Sequence, residues 1–169
     1  MYLQTPNLTS RPLLRALEAA LERGVGVEVV TCRRMMIVEQ FVTTAASAST
    51  EGCVGRLVRS AERQGGALGV WYYSGAGEGE ESEEVGVTVS KMAREAVQSH
   101  VKALIVDGEV TVLGSANGDR ASWYTSQEAN VSVFSAEFAA RTRRGLVRGL
   151  GRRLEKVVGR GELGEVVGG

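Results

Sequence analysis

Apolar and polar positions at the start of the chain follow a strand, helix, strand order. "YLQT" and "VGVEVVT" are short and apolar, and the segment between them carries leucines and alanines at helical spacing. Ser10 is a candidate N-cap, Pro12 falls in the first turn and Gly24 suits the helix end. A helix of this length between two strands predicts a right-handed parallel crossover.

The rest of the chain continues to alternate between the two periodicities. The pattern predicts a mostly helical region over 34–64, a strand at "ALGVWYY", a short helix around "SKMAREAV" and a last helix over 136–158. Three further strands are predicted at "HVKALIV", "EVTVLG" and "ANVSVF". Together these elements predict an α/β fold with a mixed β-sheet flanked by helices.

The length of 169 residues predicts one domain. We expect this domain to span residues 1–158, with an acidic Gly/Glu-rich loop at about 74–86 and a flexible tail over 159–169. Because the chain starts directly with a strand, we also expect it to be a fragment or a gene model that lacks an N-terminal part.

Composition excludes several classes of function. The formal net charge of zero gives no indication of a nucleic-acid partner. Cys32 and Cys53 lack metal-ligand spacing and the chain has a single histidine, so neither a metal nor a cofactor is predicted and both thiols are expected to be buried and free. With no secretory signal and no apolar run of about twenty residues, the default location is cytoplasmic or peripheral to a membrane.

The single histidine, His100, opens the stretch "HVKALIVDGEVTVLGSAN". Strand alternation places His100 and Lys102 on one face, roughly 6.5–7 Å apart. The Asp107–Gly108 pair predicts a tight hairpin, because both central residues of a type I′ turn have positive φ. A two-residue loop would put Ser115 directly opposite His100, whereas a longer turn would shift this register.

These groups suit phosphate chemistry. Lys102 and Asn117 can donate hydrogen bonds to non-bridging phosphate oxygens, and Ser115 adds a hydroxyl. His100 can attack phosphorus, provided that its ring is neutral and held in one tautomer. Glu128 is the candidate that orients the ring. Each residue alone is more often an ordinary surface residue, and only their joint spacing favours a site.

The stretch resembles the HKD motif of the phospholipase D superfamily, which reads His-x-Lys, four residues, Asp, six residues, Gly-Ser-x-Asn. The flanking segments "YLQTPNLTSRPLLRALEAALERGVGVEVVT" and "GDRASWYTSQEANV" resemble those around the second HKD motif of fungal phospholipase D-like proteins. The matching positions are His100, Lys102, Asp107, Gly114, Ser115 and Asn117. Of the motif region, Asp107, Gly108 and Gly114 are interpreted as structural.

The resemblance implies a phospholipase D/nuclease-like fold and metal-independent phosphodiester chemistry through a covalent phosphohistidine. It implies that His100 is the nucleophile or the general acid, that Lys102 and Asn117 bind phosphate with Ser115 beside them, and that Glu128 orients the histidine. The implied substrate is a phosphodiester, with a phospholipid favoured over nucleic acid, and the implied reaction is hydrolysis or phosphatidyl transfer.

The family's active site uses two HKD motifs, and this chain has one. The resemblance therefore implies one half of an active site, completed by an N-terminal half of the same protein or by a homodimer mate. A homodimeric nuclease and a non-catalytic half-domain of a truncated gene model are the alternatives.

Three further groups of residues are candidates for contacts with substrate or membrane. Basic residues from Arg141 to Lys156 predict a helix that contacts an anionic membrane or simply faces solvent. Trp123 and Tyr124 line the substrate mouth or pack beneath it. The polar residues 4, 5 and 7 end the first strand, at the edge where open α/β sheets bind ligands, but are left outside the catalytic set.

Overall fold

The computed structural model describes residues 1–33, 49–73, 99–151, 153–159 and 163. The chain begins, as predicted, with strand β1 (Tyr2–Gln4), helix α1 (Arg11–Glu22) and strand β2 (Val27–Cys32), and the two strands are parallel neighbours. The backbone of α1 starts after Ser10, but the side chain of Ser10 makes no capping hydrogen bond. The helix ends before Gly24, which has φ 77°.

The remaining elements are α2 (Thr50–Gln64), β3 (Leu68–Tyr73), β4 (Ala103–Val106), β5 (Val110–Gly114), α3 (Arg120–Tyr124), β6 (Asn130–Phe134), α4 (Ala136–Leu150) and β7 (Leu154–Val158). Within the described residues the strands form one mixed sheet in the order β6-β5-β4-β1-β2-β3-β7, which confirms the predicted fold class. Strands β1, β2 and β3 are parallel, and every other neighbouring pair is antiparallel.

Helices cover both faces of the sheet. On one face, buried leucines of α1 and α2 such as Leu17 and Leu57 pack on Val29 and Val70. On the other face, α4 packs over a second cluster that includes Tyr2, Trp71 and Ile105. Along β1, β2 and β3, residues alternate between these two clusters because successive side chains of a strand point to opposite faces.

The predicted start of the fourth strand is wrong by three residues. Strand β4 begins at Ala103 rather than at His100, because its neighbour β1 ends at Gln4, the ladder partner of Ala103. Pro6 follows shortly after and has no N–H with which to extend that ladder. His100 and Lys102 therefore precede the strand.

The last helix is shorter than predicted. It ends at Leu150, and Gly151 adopts φ 53°. The chain then turns into β7, which pairs with β3 and places Leu154 against Tyr73. The basic residues between 141 and 156 consequently lie on a helix, a turn and a strand, and Arg152 lies outside the described residues.

Several predicted segments lie outside the described residues. These are the first part of the helical region, over 34–48, the acidic loop at 74–86, the short helix at "SKMAREAV" and most of the tail. The described part of the helical region, α2, is helical as predicted. The two thiols, Cys32 and Cys53, are buried and free, which confirms that prediction.

Candidate active site

The HKD segment converges at the edge of the sheet where β1 ends. Gln4 pairs with Ala103, and Ala103 pairs with Leu113, so the residues that precede β4 and those that follow β5 meet at the end of β1. This edge is also the carboxyl edge of the parallel strands, where open α/β sheets bind ligands. The topology thus brings the two ends of the motif together beside β1.

The turn between β4 and β5 has the predicted conformation but not the predicted register. Asp107 and Gly108 have φ of 53° and 67°, as the type I′ turn requires. The ladder, however, pairs Val106 with Val110, which leaves Glu109 as an extra residue outside the pairing. The alternative of a longer turn is therefore the correct one. As a consequence, β5 is shifted by one residue relative to β4, compared with the register that a two-residue loop would give.

This shift changes the alignment of the two ends of the hairpin. In the observed register, position 100 aligns with 116 rather than 115, and the ladder itself ends at the Ala103–Leu113 pair, so the prediction that Ser115 pairs directly with His100 is wrong. A shift of one residue also moves a side chain to the opposite face of the sheet. The role of Ser115 beside the phosphate stays a prediction, and its observed side-chain partner is Glu128.

His100 and Lys102 are in direct contact. The ammonium Nζ of Lys102 lies 2.7 Å from Nδ1 and 2.9 Å from Nε2 of the exposed imidazole, and it donates to the backbone carbonyl of His100 at 3.0 Å. In its neutral form the ring offers one acceptor nitrogen, and the tautomer decides which of the two nitrogens accepts from the ammonium. Burial lowers the pKa of Lys102, while the charges of Glu128 and Asp119 oppose that shift.

Glu128 is held by Ser115. The hydroxyl of Ser115 donates to Oε2 of Glu128, and the backbone N–H of Ala129 donates to the same hydroxyl at 3.1 Å. Among the contacts of the described residues, none joins Glu128 to His100. The structure thus brings Glu128 to the site, while its role in orienting the histidine stays a prediction.

Asn117 is positioned by a carboxylate that the sequence pattern did not single out. Oδ2 of Asp119 accepts from Nδ2 of Asn117 at 3.1 Å and from Nδ2 of Asn7 at 3.2 Å, while its Oδ1 accepts from the N–H of Ser122 at 2.8 Å. One N–H of the Asn117 amide remains for a ligand, because Nδ2 carries two hydrogens. Oδ1 of Asn117 is buried and has no hydrogen-bond partner among the described residues.

The loop that follows the motif is fastened to the end of β1. The buried hydroxyl of Thr5 accepts from the N–H of Gly118 at 2.7 Å and donates to the carbonyl of Asn7 at 2.9 Å. A Cβ at Gly118 would lie 2.7 Å from the carbonyl oxygen of Asn7, so this position has no room for a side chain. Thr5 and Asn7 therefore hold the loop of the candidate site in place. Their place at the carboxyl end of the first strand singled them out in the sequence, but the prediction left them outside the catalytic set.

A pocket of about 360 Å³ opens beneath these groups. Lys102, Asn117 and Glu128 line it, together with Gln4 and Thr5, whereas His100 and Ser115 are not among the lining residues. Its apolar wall includes Leu3, Leu13, Ala103, Leu104, Val112, Ala116 and Trp123. Trp123 thus lines the pocket, while its contact with substrate stays a prediction; Tyr124 is 62% exposed and not part of the lining.

Gly114, the remaining structural position of the motif, lies against the neighbouring strand. A Cβ there would collide with the side chain and backbone of Asn130 and with the carbonyl of Ala129. Only glycine allows β5 and β6 to approach this closely. The physical surroundings of Gly114 thus support its interpretation as structural.

The described residues contain no cluster of three or more His, Cys, Asp or Glu side chains that could hold a metal ion. Among the described helices, none combines the length and the apolar character that crossing a membrane requires.

Residues 1–148 match the family model described as "Cardiolipin synthase, PLD-like domain". The comparison with curated proteins found no match. Among solved structures, the chain is similar to the phospholipase D family member Nuc from Salmonella typhimurium, with 16% identity and a TM-score of 0.56 over 92% of this chain and 79% of Nuc. It is also similar to NucT from Helicobacter pylori, with 14% identity and a TM-score of 0.58 over 94% of this chain and 80% of NucT.

A third similar structure is phosphatidylserine synthase from Haemophilus influenzae Rd KW20, with 15% identity and a TM-score of 0.59. The match covers 92% of this chain and 33% of that one, so this chain spans about a third of that enzyme. At these identities the three likenesses show a shared fold. Members of the phospholipase D superfamily are phosphodiesterases. Because the family model covers most of its length, the chain belongs to the PLD-like domain family of the phospholipase D superfamily.

Proposed function

We propose that this chain supplies one half of an active site that cleaves or transfers a phosphodiester, and that its substrate is a phospholipid. The observation that carries the proposal is the contact between the His100 imidazole and the ammonium of Lys102, a residue that lines a partly apolar pocket. A cation beside an imidazole is an arrangement that can bind a phosphate through the cation and attack it through a ring nitrogen.

The reaction has two steps. In the first, a neutral ring nitrogen of His100 attacks phosphorus, the P–N bond forms and the P–O bond to the leaving alcohol breaks. A proton from a second histidine neutralises the leaving alkoxide. In the second step, that histidine removes a proton from water or from an acceptor alcohol, whose oxygen attacks phosphorus as the P–N bond breaks. Water as the acceptor gives hydrolysis, and an alcohol gives transfer.

The other site residues support the phosphate and the ring. Lys102 neutralises charge on the non-bridging oxygens, and the uncommitted N–H of the Asn117 amide donates to one of them. Ser115 acts by holding Glu128, which balances the charge of Lys102 while the site is empty and orients the His100 ring once phosphate draws the ammonium away.

The second histidine must come from outside the sequence described here, which contains one histidine. Another segment of the same protein or a second copy of the chain can supply it. No metal or cofactor is required by this scheme, because histidines perform both nucleophilic attack and proton transfer.

Two observations favour a phospholipid over a nucleic acid. The apolar wall of the pocket is formed by leucine, alanine, valine and tryptophan side chains, which suit the glycerol-ester part of a lipid. In addition, the chain carries no net positive charge, whereas proteins that bind nucleic acid rely on basic surfaces. The name of the matching family model and the similar phosphatidylserine synthase point to the same class of substrate.

The test compares His100→Asn with a matched surface variant, Glu62→Gln on the exposed face of α2, in the assembled enzyme with its second motif present. Headgroup release from phospholipid vesicles should fall by at least about a thousandfold in His100→Asn, because the nucleophile or the proton donor is lost, and should not change in Glu62→Gln. Unchanged activity in His100→Asn would refute the proposal.

The same preparations should be assayed on DNA alongside sedimentation. Cleavage of DNA by a dimer, with no release from vesicles, would replace the phospholipid substrate by the nuclease alternative. Failure to trap a phosphohistidine in an assembled and folded protein would favour a non-catalytic half-domain.

A further inference from the structure

His100 lies on a segment that the sheet itself does not hold. Residues 99–102 precede β4 and have no ladder partner, and the His100 side chain is exposed. Precise placement of the imidazole therefore depends on contacts that reach this segment from elsewhere. Two such contacts converge on Ser99, the residue immediately before the histidine.

The first contact comes from β1, where Nε2 of Gln4 donates to the hydroxyl of Ser99 at 2.8 Å. The second comes from β2, where the thiol of Cys32 lies 3.8 Å from the carbonyl oxygen of Ser99. Gln4 is 3% exposed, so its amide is a fixed point of the sheet. The residue that precedes the histidine is thus tied to two buried strands.

Gln4 is itself held from its other end. The hydroxyl of Tyr2 donates to Oε1 of Gln4 at 2.6 Å, and Tyr2 is fully buried. Burial raises the pKa of Tyr2, so its hydroxyl stays protonated and remains a donor. Because both ends of the buried amide are bonded, a continuous path runs from Tyr2 through Gln4 to Ser99.

We propose that Gln4 is a positioning residue for His100, acting through the hydroxyl of Ser99. The amide fixes the backbone of Ser99, and this in turn fixes where the imidazole stands relative to Lys102. The catalytic meaning of this placement rests on the proposed function, but the placement itself does not. A displacement of about 1 Å at a reacting group can reduce the rate by about a hundredfold.

The single histidine makes the proposal measurable without any assay of activity. The ring of His100 gives the only imidazole resonances of this chain in a ¹H–¹⁵N spectrum. Gln4→Met keeps the size of the side chain but removes both hydrogen bonds, and Ser99→Ala removes the acceptor alone. The matched control is Thr111→Val, since Thr111 is a buried strand residue whose hydroxyl has no partner among the described residues.

In both Gln4→Met and Ser99→Ala we expect the His100 ring resonances to shift and broaden, and Thr111→Val should leave them in place. In the assembled enzyme, kcat should fall by about ten- to a hundredfold, while KM stays within about threefold. The double variant should lose no more activity than either single variant, because both remove the same link.

Ring resonances that superimpose on those of the wild type in a folded Gln4→Met or Ser99→Ala protein would overturn the proposal, as would additive losses of activity. If Gln4→Met fails to fold, Ser99→Ala decides the question, since it removes a single partly exposed hydroxyl. Perturbed resonances together with a fully active His100→Asn would uphold the positioning and refute the proposed function.

Discussion

Replacing Gly114 by alanine should open the junction between β5 and β6 beside the active site. A Cβ at this position would lie 2.7 Å from the Cα of Asn130, whereas ordinary van der Waals contact begins near 3.4 Å, so the strands must separate by at least about 0.7 Å. The colliding atoms include the backbone of Asn130 and the carbonyl of Ala129, which cannot rotate aside. The strain must therefore be relieved by movement of β6.

The size of the effect follows from the contacts at this junction. Overpacking of a close-packed site costs about 1–3 kcal/mol. The backbone hydrogen bond from Ser115 to Ala129 is 3.0 Å long and would be stretched beyond hydrogen-bonding distance by the same movement, at a further cost of about 1 kcal/mol. We expect Gly114→Ala to lower the free energy of unfolding by about 2–4 kcal/mol, measured by urea denaturation at constant m.

Gly145 provides a control substitution, which is expected to raise the free energy of unfolding rather than lower it. It lies within α4, and a Cβ there would have no atom within 4 Å, so Gly145→Ala should raise stability by about 0.5–1 kcal/mol through helix propensity. Gly114→Ala should also displace Glu128 from Lys102 and reduce activity more than the stability loss explains. If both substitutions change the urea midpoint by similar amounts, the steric account of Gly114 is wrong.

Three further predictions concern polar groups. Thr5→Val should destabilise the protein by about 1–3 kcal/mol, because it leaves a buried backbone N–H of the site loop without its acceptor; an unchanged urea midpoint would contradict this. Arg143→Met should cost about 3 kcal/mol, since it removes the guanidinium that pairs with the fully buried carboxylate of Glu28, and a stabilising effect would contradict it. Glu128→Gln should lower the pKa of Lys102 further, because the carboxylate raises that pKa against the effect of burial. A lysine whose pKa is lower in the folded state favours folding in its neutral form, so stability should rise as the pH increases towards the ordinary lysine value of 10.5. In the variant this rise should begin at a lower pH. Titration of the ¹³Cε resonance of Lys102 measures the change in its pKa.

Local patterns predicted the elements whose determinants lie close together in the sequence. The leucine stripe of α1 and the Asp107–Gly108 turn are examples, because helix periodicity and positive φ are properties of neighbouring residues. The order of the strands in the sheet and the residue at which β4 begins could not be predicted from such local patterns. Both depend on pairing with β1, and that strand is about a hundred residues away from β4 in the sequence.

The error in the hairpin register has a specific cause. The two turn residues have the predicted conformation, yet Glu109 is excluded from the ladder. The two-residue loop was the more economical interpretation of an Asp-Gly pair, but β5 also pairs with β6 on its other side, where Val110 opposes Phe134. A central strand such as β5 must pair with two neighbouring strands at once, whereas the sequence of the turn indicates only how β5 pairs with β4.

The difference between local and distant determinants also explains which site residues could be predicted from the sequence. The motif identifies the residues that are predicted to bind the phosphate, but it contains no information about the residues that hold them in place. In the structure, the end of β1 holds several of them in place, since Gln4 reaches Ser99 and Thr5 receives the N–H of Gly118. Asn7, two residues further on, shares Asp119 with Asn117. The contacts that start from residues 4, 5 and 7 join positions separated by 95 to 113 residues, so no local pattern contains them. Because a few polar residues at and just after the end of β1 reach both ends of the motif hairpin, substitutions of these residues should alter catalysis without touching any residue of the motif.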